Sequence, residues 1–213
     1  MNEELERYIR NYSSPEDELL AQLESESYMR VVQPQMVSGH VQGLFLTMLT
    51  RMIRPRRVLE IGTFTGYATL CFAEGLPDDG LIDTVEIEDE LESIQNEFFA
   101  RSPHAHKIRR HIGSALEVVP KLGECYDLVF LDGDKREYPD YYRMLLDGGL
   151  VRSGSYILAD NILWYGKVVE QNIKTSDLQT LGIVEFNRMV RDDDRVENVI
   201  VPIRDGINLV RVK

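Results

Sequence analysis

The stretch Val58-Leu59-Glu60-Ile61-Gly62-Thr63-Phe64-Thr65-Gly66, running on into Tyr67-Ala68-Thr69-Leu70, decides the fold. An apolar run enters a turn bounded by two glycines and leaves as a helix. Glycine at both ends permits tight turning and close backbone approach. The same strand-to-helix alternation repeats outward. Apolar, partly β-branched runs are RVLEI (57–61), LIDTVEI (81–87), KIRRHIG (107–113), YDLVFLD (126–132) and SYILAD (155–160). Between them lie the helical stretches GYATLCFAEGL, DELESIQNEFFA, SALEVVPKL and YPDYYRMLLDGGL. This alternation predicts a mostly parallel sheet with helices on both faces. NVIVPI and INLVRV flank Arg204-Asp205-Gly206, a hairpin signal, so an antiparallel hairpin should close a seven-stranded sheet.

Residues 1–50 read as a helical cap, ELERYIRNY followed by SSPEDELLAQLESESYMR, the latter starting at Ser14, Pro15 and Asp17. Residues 51–213 form the α/β core of a single domain, in keeping with a length of 213 residues. The formal net charge of −12 argues against tight non-specific nucleic-acid binding, which depends on Lys and Arg neutralising phosphates. No apolar run is long enough for a membrane span, and the charged start lacks the apolar core of a secretion signal. Cys71 and Cys125 are far apart, which fits a reducing cytoplasm and excludes a thiolate zinc cluster. His40, His104, His106 and His111 show no metal-ligand spacing. Arg51, Arg54, Arg56 and Arg57 form a basic cluster, either a solvated face or a meeting point for a phosphate-bearing substrate.

In an open α/β sheet, ligands bind beyond the carboxyl ends of the strands. Glu86 ends the second strand, 20 residues past Gly66, where an acid can hydrogen-bond ribose hydroxyls. Phe64 occupies the middle position of the dinucleotide pattern, where glycine admits a pyrophosphate. Glu60, read as lying at the pocket mouth, would also repel phosphates. Both count against a dinucleotide oxidoreductase. S-adenosylmethionine, with ribose, adenine and positive charge but no phosphate, fits better; the bland alternative is a turn whose glycines serve only packing.

Asp132, Asp160 and Asn161 end neighbouring strands. Two carboxylates and an amide carbonyl make an oxygen-only set suited to Mg²⁺ or another hard divalent cation. Alternatively the two aspartates cap the turns that follow. Lys135, three residues past Asp132, is either functional or a solvated charge in the acidic segment DGDKRE. Asp134 has no assigned role.

The segment Met36–Gly43, the EIGTFTGYA loop, TVEIE, LDGDKREY, LADNILWYGKV and PIRDGINLV, in this order, resemble the cation-dependent class I S-adenosylmethionine O-methyltransferases, which include catechol and caffeoyl-CoA O-methyltransferases. The resemblance covers most of the chain and implies a Rossmann-like core. It implies S-adenosylmethionine bound by Met36, Ser38, Glu60, Gly62, Phe64, Tyr67, Ala68, Glu86, Ile87, Ser114, Ala115 and Asp132. Gly43 matches a position near the methionine end, on a helix whose core face is read as Val41, Leu44, Phe45 and Met48. The resemblance also implies a divalent metal on Asp132, Asp160 and Asn161, and Lys135 as the general base for the acceptor hydroxyl. Near the cation the charged form of that lysine should be disfavoured. Trp164 and Tyr165 would wall a planar acceptor, or else anchor their loop. The implied reaction is O-methylation of a small catechol-like or caffeoyl-type acceptor by a homodimer. The alternatives are methylation of a hydroxylated uridine in tRNA and a non-catalytic cofactor-binding role.

Overall fold

A computed structural model describes residues 3–213. The N-terminal segment read as lacking a secretion signal begins with Met1 and Asn2, which lie outside the described residues. Seven strands form one sheet: β1 (Arg57–Ile61), β2 (Leu81–Glu86), β3 (Ile108–Ile112), β4 (Tyr126–Leu131), β5 (Val151–Ala159), β6 (Val196–Val201) and β7 (Ile207–Val212). Their order is β3-β2-β1-β4-β5-β7-β6. The first five strands are parallel, and β7 runs antiparallel between β5 and β6. This is the expected Rossmann-like sheet with its terminal hairpin.

The helices are α1 (Glu3–Tyr12), α2 (Glu18–Arg30), α3 (Gly39–Ile53), α4 (Tyr67–Gly75), α5 (Glu92–Arg101), α6 (Ala115–Leu122), α7 (Tyr138–Asp147) and α8 (Leu178–Asp192). Alternate residues of the central strands feed two cores, as the period-two geometry of a strand requires. Leu59, Ile61, Val129 and Leu131 pack with α7 and α8 on one face. Val58, Leu128 and Phe130 pack with α3, α4 and α5 on the other. Covering both faces lets β4 be an almost continuous apolar run.

Three readings change in detail. Helix α8 was not among the helices read from the sequence, although Thr180, Ile183, Phe186 and Val190 recur at helical spacing on its buried side. Phe186 meets the rings of Tyr138 and Tyr142 edge-on and so fixes α7. On α3 the buried stripe is Gln42, Gly43, Leu46, Thr47 and Thr50, whereas Met48, expected in the core, is exposed. The stripe is small and polar because α3 lies directly on α4, where Thr47 Oγ1 donates to the Cys71 carbonyl at 3.0 Å. Helix α3 ends at Ile53, so a division after residue 50 falls inside it. The start of α2 is capped by Asp17, whose carboxylate accepts from the backbone N–H of Leu19 and Leu20.

Candidate active site

The strand order reverses between β1 and β4, and the loops beyond these two strands meet there. Gly62 has φ 97°, and a Cβ at this position would strike the backbone of Asp132. Only glycine permits this approach. A cleft opens beside it, lined by Met36, Ser38, Gly62, Phe64, Tyr67, Ala68 and Asp132, together with Val37, Thr63 and Thr65. Seven of the residues assigned to the cofactor thus share one cleft. The first N–H groups of α4, at Tyr67 and Ala68, have no partner within their own helix, which suits an anionic group.

Glu86 is buried and holds the glycine loop. Its Oε2 accepts from Phe64 N at 2.6 Å, and its Oε1 accepts from the N–H groups of Ile87 and Glu88. Burial raises its pKa, and the three backbone donors oppose the rise. Gln95 Nε2 clamps the other side of Phe64, donating to its carbonyl at 2.6 Å. Phe64 itself is left-handed, with φ 49°. Ile87 is exposed beyond the strand. Ser114 and Ala115 open α6 after β3, outside the cleft lining. They are tied toward Glu86 by Gly113 N, which donates to its carbonyl at 2.8 Å.

Glu60 requires a correction of place. It is fully buried beneath the loop rather than at the pocket mouth. Its Oε2 accepts from Thr69 Oγ1 and, at 2.6 Å, from Thr84 Oγ1, while its Oε1 has no protein partner. Burial pushes its pKa up to about 8.

The second cluster lies beyond β4 and β5. Lys135 is buried, contrary to the solvated-charge alternative. Its Nζ donates to Asp132 Oδ1 at 2.8 Å and to the Tyr138 hydroxyl at 2.8 Å. The Tyr138 hydroxyl donates to the Leu131 carbonyl at 2.7 Å and lies 3.0 Å from that of Asp160. Burial pushes the Asp132 carboxyl up to about 6, with Lys135 opposing the rise and Asp160 adding to it. The Lys135 backbone is seated on α8, where Gln179 Oε1 accepts from its N–H at 3.1 Å. A Cβ on Gly182 would strike its carbonyl. Asp134 caps the short turn at Lys135–Glu137 and pairs with Arg136, which gives it a structural role.

Asp160 is buried, its Oδ2 accepting from Gln42 Nε2 at 2.6 Å and its Oδ1 from Asn161 N at 2.8 Å. Asn161 is left-handed, with φ 58°. Among the described residues there is no cluster of three or more His, Cys, Asp or Glu able to hold a metal. The predicted set contains only two such residues, Asp132 and Asp160, with the amide of Asn161. Its chemistry nevertheless fits a divalent cation: two adjacent carboxylates, partly or wholly buried, with one ammonium to offset them.

Trp164 and Tyr165 both have positive φ and lie with ring centroids 5.5 Å apart. Trp164 packs partly on the core, whereas Tyr165 is exposed. The hairpin turn, whose residues were given no role, reaches the same place. Tyr165 N donates to Asp205 Oδ1 at 2.8 Å, and Arg204 contacts the backbone of Val37 and Ser38. Gln42, Tyr138, Arg204 and Asp205 are therefore site neighbours that strand-end reasoning missed. The quoted segments Met36–Gly43, LDGDKREY and PIRDGINLV contained all four of them, but without a role. The arginine cluster is elsewhere: Arg57 begins β1, at the opposite end from the cleft. Arg51, Arg56 and Arg57 pair with Glu74, Asp79 and Glu124.

A sequence profile described as O-methyltransferase matches residues 10–213. The chain is 36% identical over 186 residues to caffeoyl-CoA O-methyltransferase 2 of Petunia hybrida, covering 83% of this chain and 76% of that one. It is 36% identical over 186 residues to caffeoyl-CoA O-methyltransferase 1 of Nicotiana tabacum, with 83% and 77% covered. Among solved structures, the O-methyltransferase TomG of Streptomyces achromogenes, involved in tomaymycin synthesis and bound to S-adenosylmethionine, superposes with a TM-score of 0.90 at 28% identity, with 100% of both chains covered. The O-methyltransferase of Bacillus cereus bound to S-adenosylhomocysteine gives 0.86 at 25% identity, covering 99% of this chain and 97% of that one.

Proposed function

The chain belongs to the S-adenosylmethionine-dependent O-methyltransferase family, and from that premise we propose that it methylates a hydroxyl of a small catechol-like or caffeoyl-type acceptor with help from a divalent cation. The observation that carries the reading is the contact of Lys135 with Asp132, which lines the Gly62 cleft and feels the charge of Asp160. In this reading Met36, Ser38, Gly62, Phe64, Tyr67, Ala68 and Asp132 hold the cofactor along the cleft. Glu86 fixes the loop and receives the ribose edge, with Ile87, Ser114 and Ala115 on the adenine side. Glu60 acts from below the loop through Thr69 and Thr84.

Asp132, Asp160 and Asn161 would hold the cation, which when bound supplies charge stabilisation to the acceptor's developing oxyanion. Lys135 Nζ, held as an ammonium by Asp132 and Tyr138 in the resting site, first releases a proton to solvent; as the neutral amine it takes the acceptor hydroxyl proton and returns to the ammonium that the same two residues hold. Bound S-adenosylmethionine supplies a methyl group on a sulfonium. The acceptor oxygen gains that methyl as the carbon–sulfur bond breaks, leaving S-adenosylhomocysteine. Trp164 and Tyr165 border the acceptor. Their left-handed backbone marks a loop held in shape for contact.

A homodimer belongs to the same reading, supported by the exposed Met48 and Met52 on α3; a monomer mass by light scattering rejects it. Cys71 and Cys125 are free thiols, in keeping with a reducing compartment. No helix among the described residues is long and apolar enough to cross a membrane. The experiment is transfer of labelled methyl from S-adenosylmethionine to a catechol panel and to bulk tRNA, with and without Mg²⁺. Labelling of tRNA alone, or of catechols without dependence on a divalent cation, rejects the respective part of the proposal.

A further inference from the structure

Arg204 stands in the turn joining β6 to β7 and holds a left-handed backbone, φ 47°. Glycine adopts that conformation freely, whereas a long side chain does so at a cost. The residue is exposed, so burial in the core does not offset it. Its guanidinium instead reaches another layer of the molecule. Nη1 donates to the carbonyl of Val37 at 3.0 Å and to that of Ser38, and lies 3.5 Å from Gln42 Oε1. Val37 and Ser38 wall the cleft beside Gly62 and Asp132. Gln42 passes the contact on, its Nε2 donating to Asp160 Oδ2 at 2.6 Å. One nitrogen thus joins the terminal hairpin, the segment leading into α3 and a buried carboxylate beyond β5. A non-glycine residue kept at positive φ beside a site is the pattern expected where side-chain contacts are needed there.

We propose that Arg204 is a positioning residue for this site. It straps the Val37–Ser38 wall against the hairpin and, through Gln42, sets the direction of the Asp160 carboxylate. The inference rests on reading the cleft as the cofactor site and Asp160 as part of the acceptor site. It assigns no contact between Arg204 and either substrate. Loss of the strap should loosen the wall on which the cofactor rests. Loss of the Gln42 amide should turn Asp160 without disturbing that wall.

Arg204→Gly separates positioning from a plain turn role, because glycine suits φ 47° and so keeps the turn while removing the side chain that carries the guanidinium. The expected result is a thermal midpoint close to wild type. The dissociation constant for S-adenosylhomocysteine, measured by calorimetry on metal-free protein, should rise on the order of 10-fold, the worth of one charge-assisted hydrogen bond. The KM for S-adenosylmethionine should rise in parallel. Because a single nitrogen makes every contact, Arg204→Lys should recover much of the affinity. This variant decides the matter if the glycine variant unfolds early. Gln42→Leu should lower kcat and leave the S-adenosylhomocysteine affinity nearly unchanged. Wild type that fails to bind S-adenosylhomocysteine overturns the reading of the cleft, and the strap with it. Wild type that binds, alongside Arg204→Gly with unaltered dissociation constant, KM and kcat, overturns the strap alone. So does Arg204→Lys as weak as a folded Arg204→Gly.

Discussion

Lys135 Nζ lies 2.8 Å from Asp132 Oδ1 in the buried angle between the turn after β4 and helix α7. The pair joins a group suited to moving a proton to a carboxylate suited to a cation. If Lys135 is the general base, Lys135→Ala should lower kcat by roughly 10²–10⁴-fold. The loss should shrink at high pH, where the acceptor hydroxyl ionises unaided. Lys135→Arg should not rescue, because guanidinium stays protonated. Removing the lysine also leaves Asp132 without its compensating charge, so the thermal midpoint must be recorded alongside. A folded Lys135→Ala enzyme with the wild-type pH–rate profile rejects the role.

Glu86→Ala should weaken S-adenosylhomocysteine binding by about 1–3 kcal/mol, the range for a charge-assisted hydrogen bond. The carboxylate holds Phe64 N, Ile87 N and Glu88 N, so the glycine loop beside the cleft depends on it. Glu86→Gln keeps an acceptor oxygen and should lose less. Calorimetry returning an unchanged dissociation constant for the alanine variant removes Glu86 from the binding site.

The sheet was legible because its evidence is local. Alternating apolar strands and helices, with glycine at the first turn, leave few topologies, and RDG marks the hairpin. The glycine loop and the start of α4, which line the cleft, were legible as a strand-to-helix turn for the same reason. Helix α8 was missed because its stripe, Thr180 to Val190, contains a threonine and passes Gly182, which weakens the apolar signal. Gln42 and Arg204 act through pairings spanning 118 and 166 residues, which no window of sequence reveals. Glu60 was misplaced because the end of a strand does not say which way its side chain points. Here it points under the loop, onto Thr69 and Thr84.

A chelator should abolish turnover and leave S-adenosylhomocysteine binding largely intact. Asp160 and Asn161 lie apart from the Gly62 cleft lining, and only Asp132 belongs to both groups. Added Mg²⁺ should restore the rate. Full turnover in EDTA, with metal content verified as nil, rejects the cation.

The last prediction concerns Glu60 and pH. Its carboxyl is pushed up to about 8 in the folded protein by burial, against an ordinary value of 4.5. Between these values the folded chain holds a proton that the unfolded chain has released. Stability therefore falls as pH rises from 4.5 toward about 8, and this contribution levels off beyond. Glu60→Gln removes the titration while keeping an oxygen able to accept from Thr69 and Thr84. The variant should be close to wild type near pH 5 and relatively more stable near pH 8, by an amount on the order of a few kcal/mol at most. Urea unfolding of both proteins across this range measures the difference directly. Two curves that stay parallel from pH 5 to about pH 9 would show that Glu60 is ionised in the folded state throughout. The orphaned Oε1 would then need a partner other than a proton.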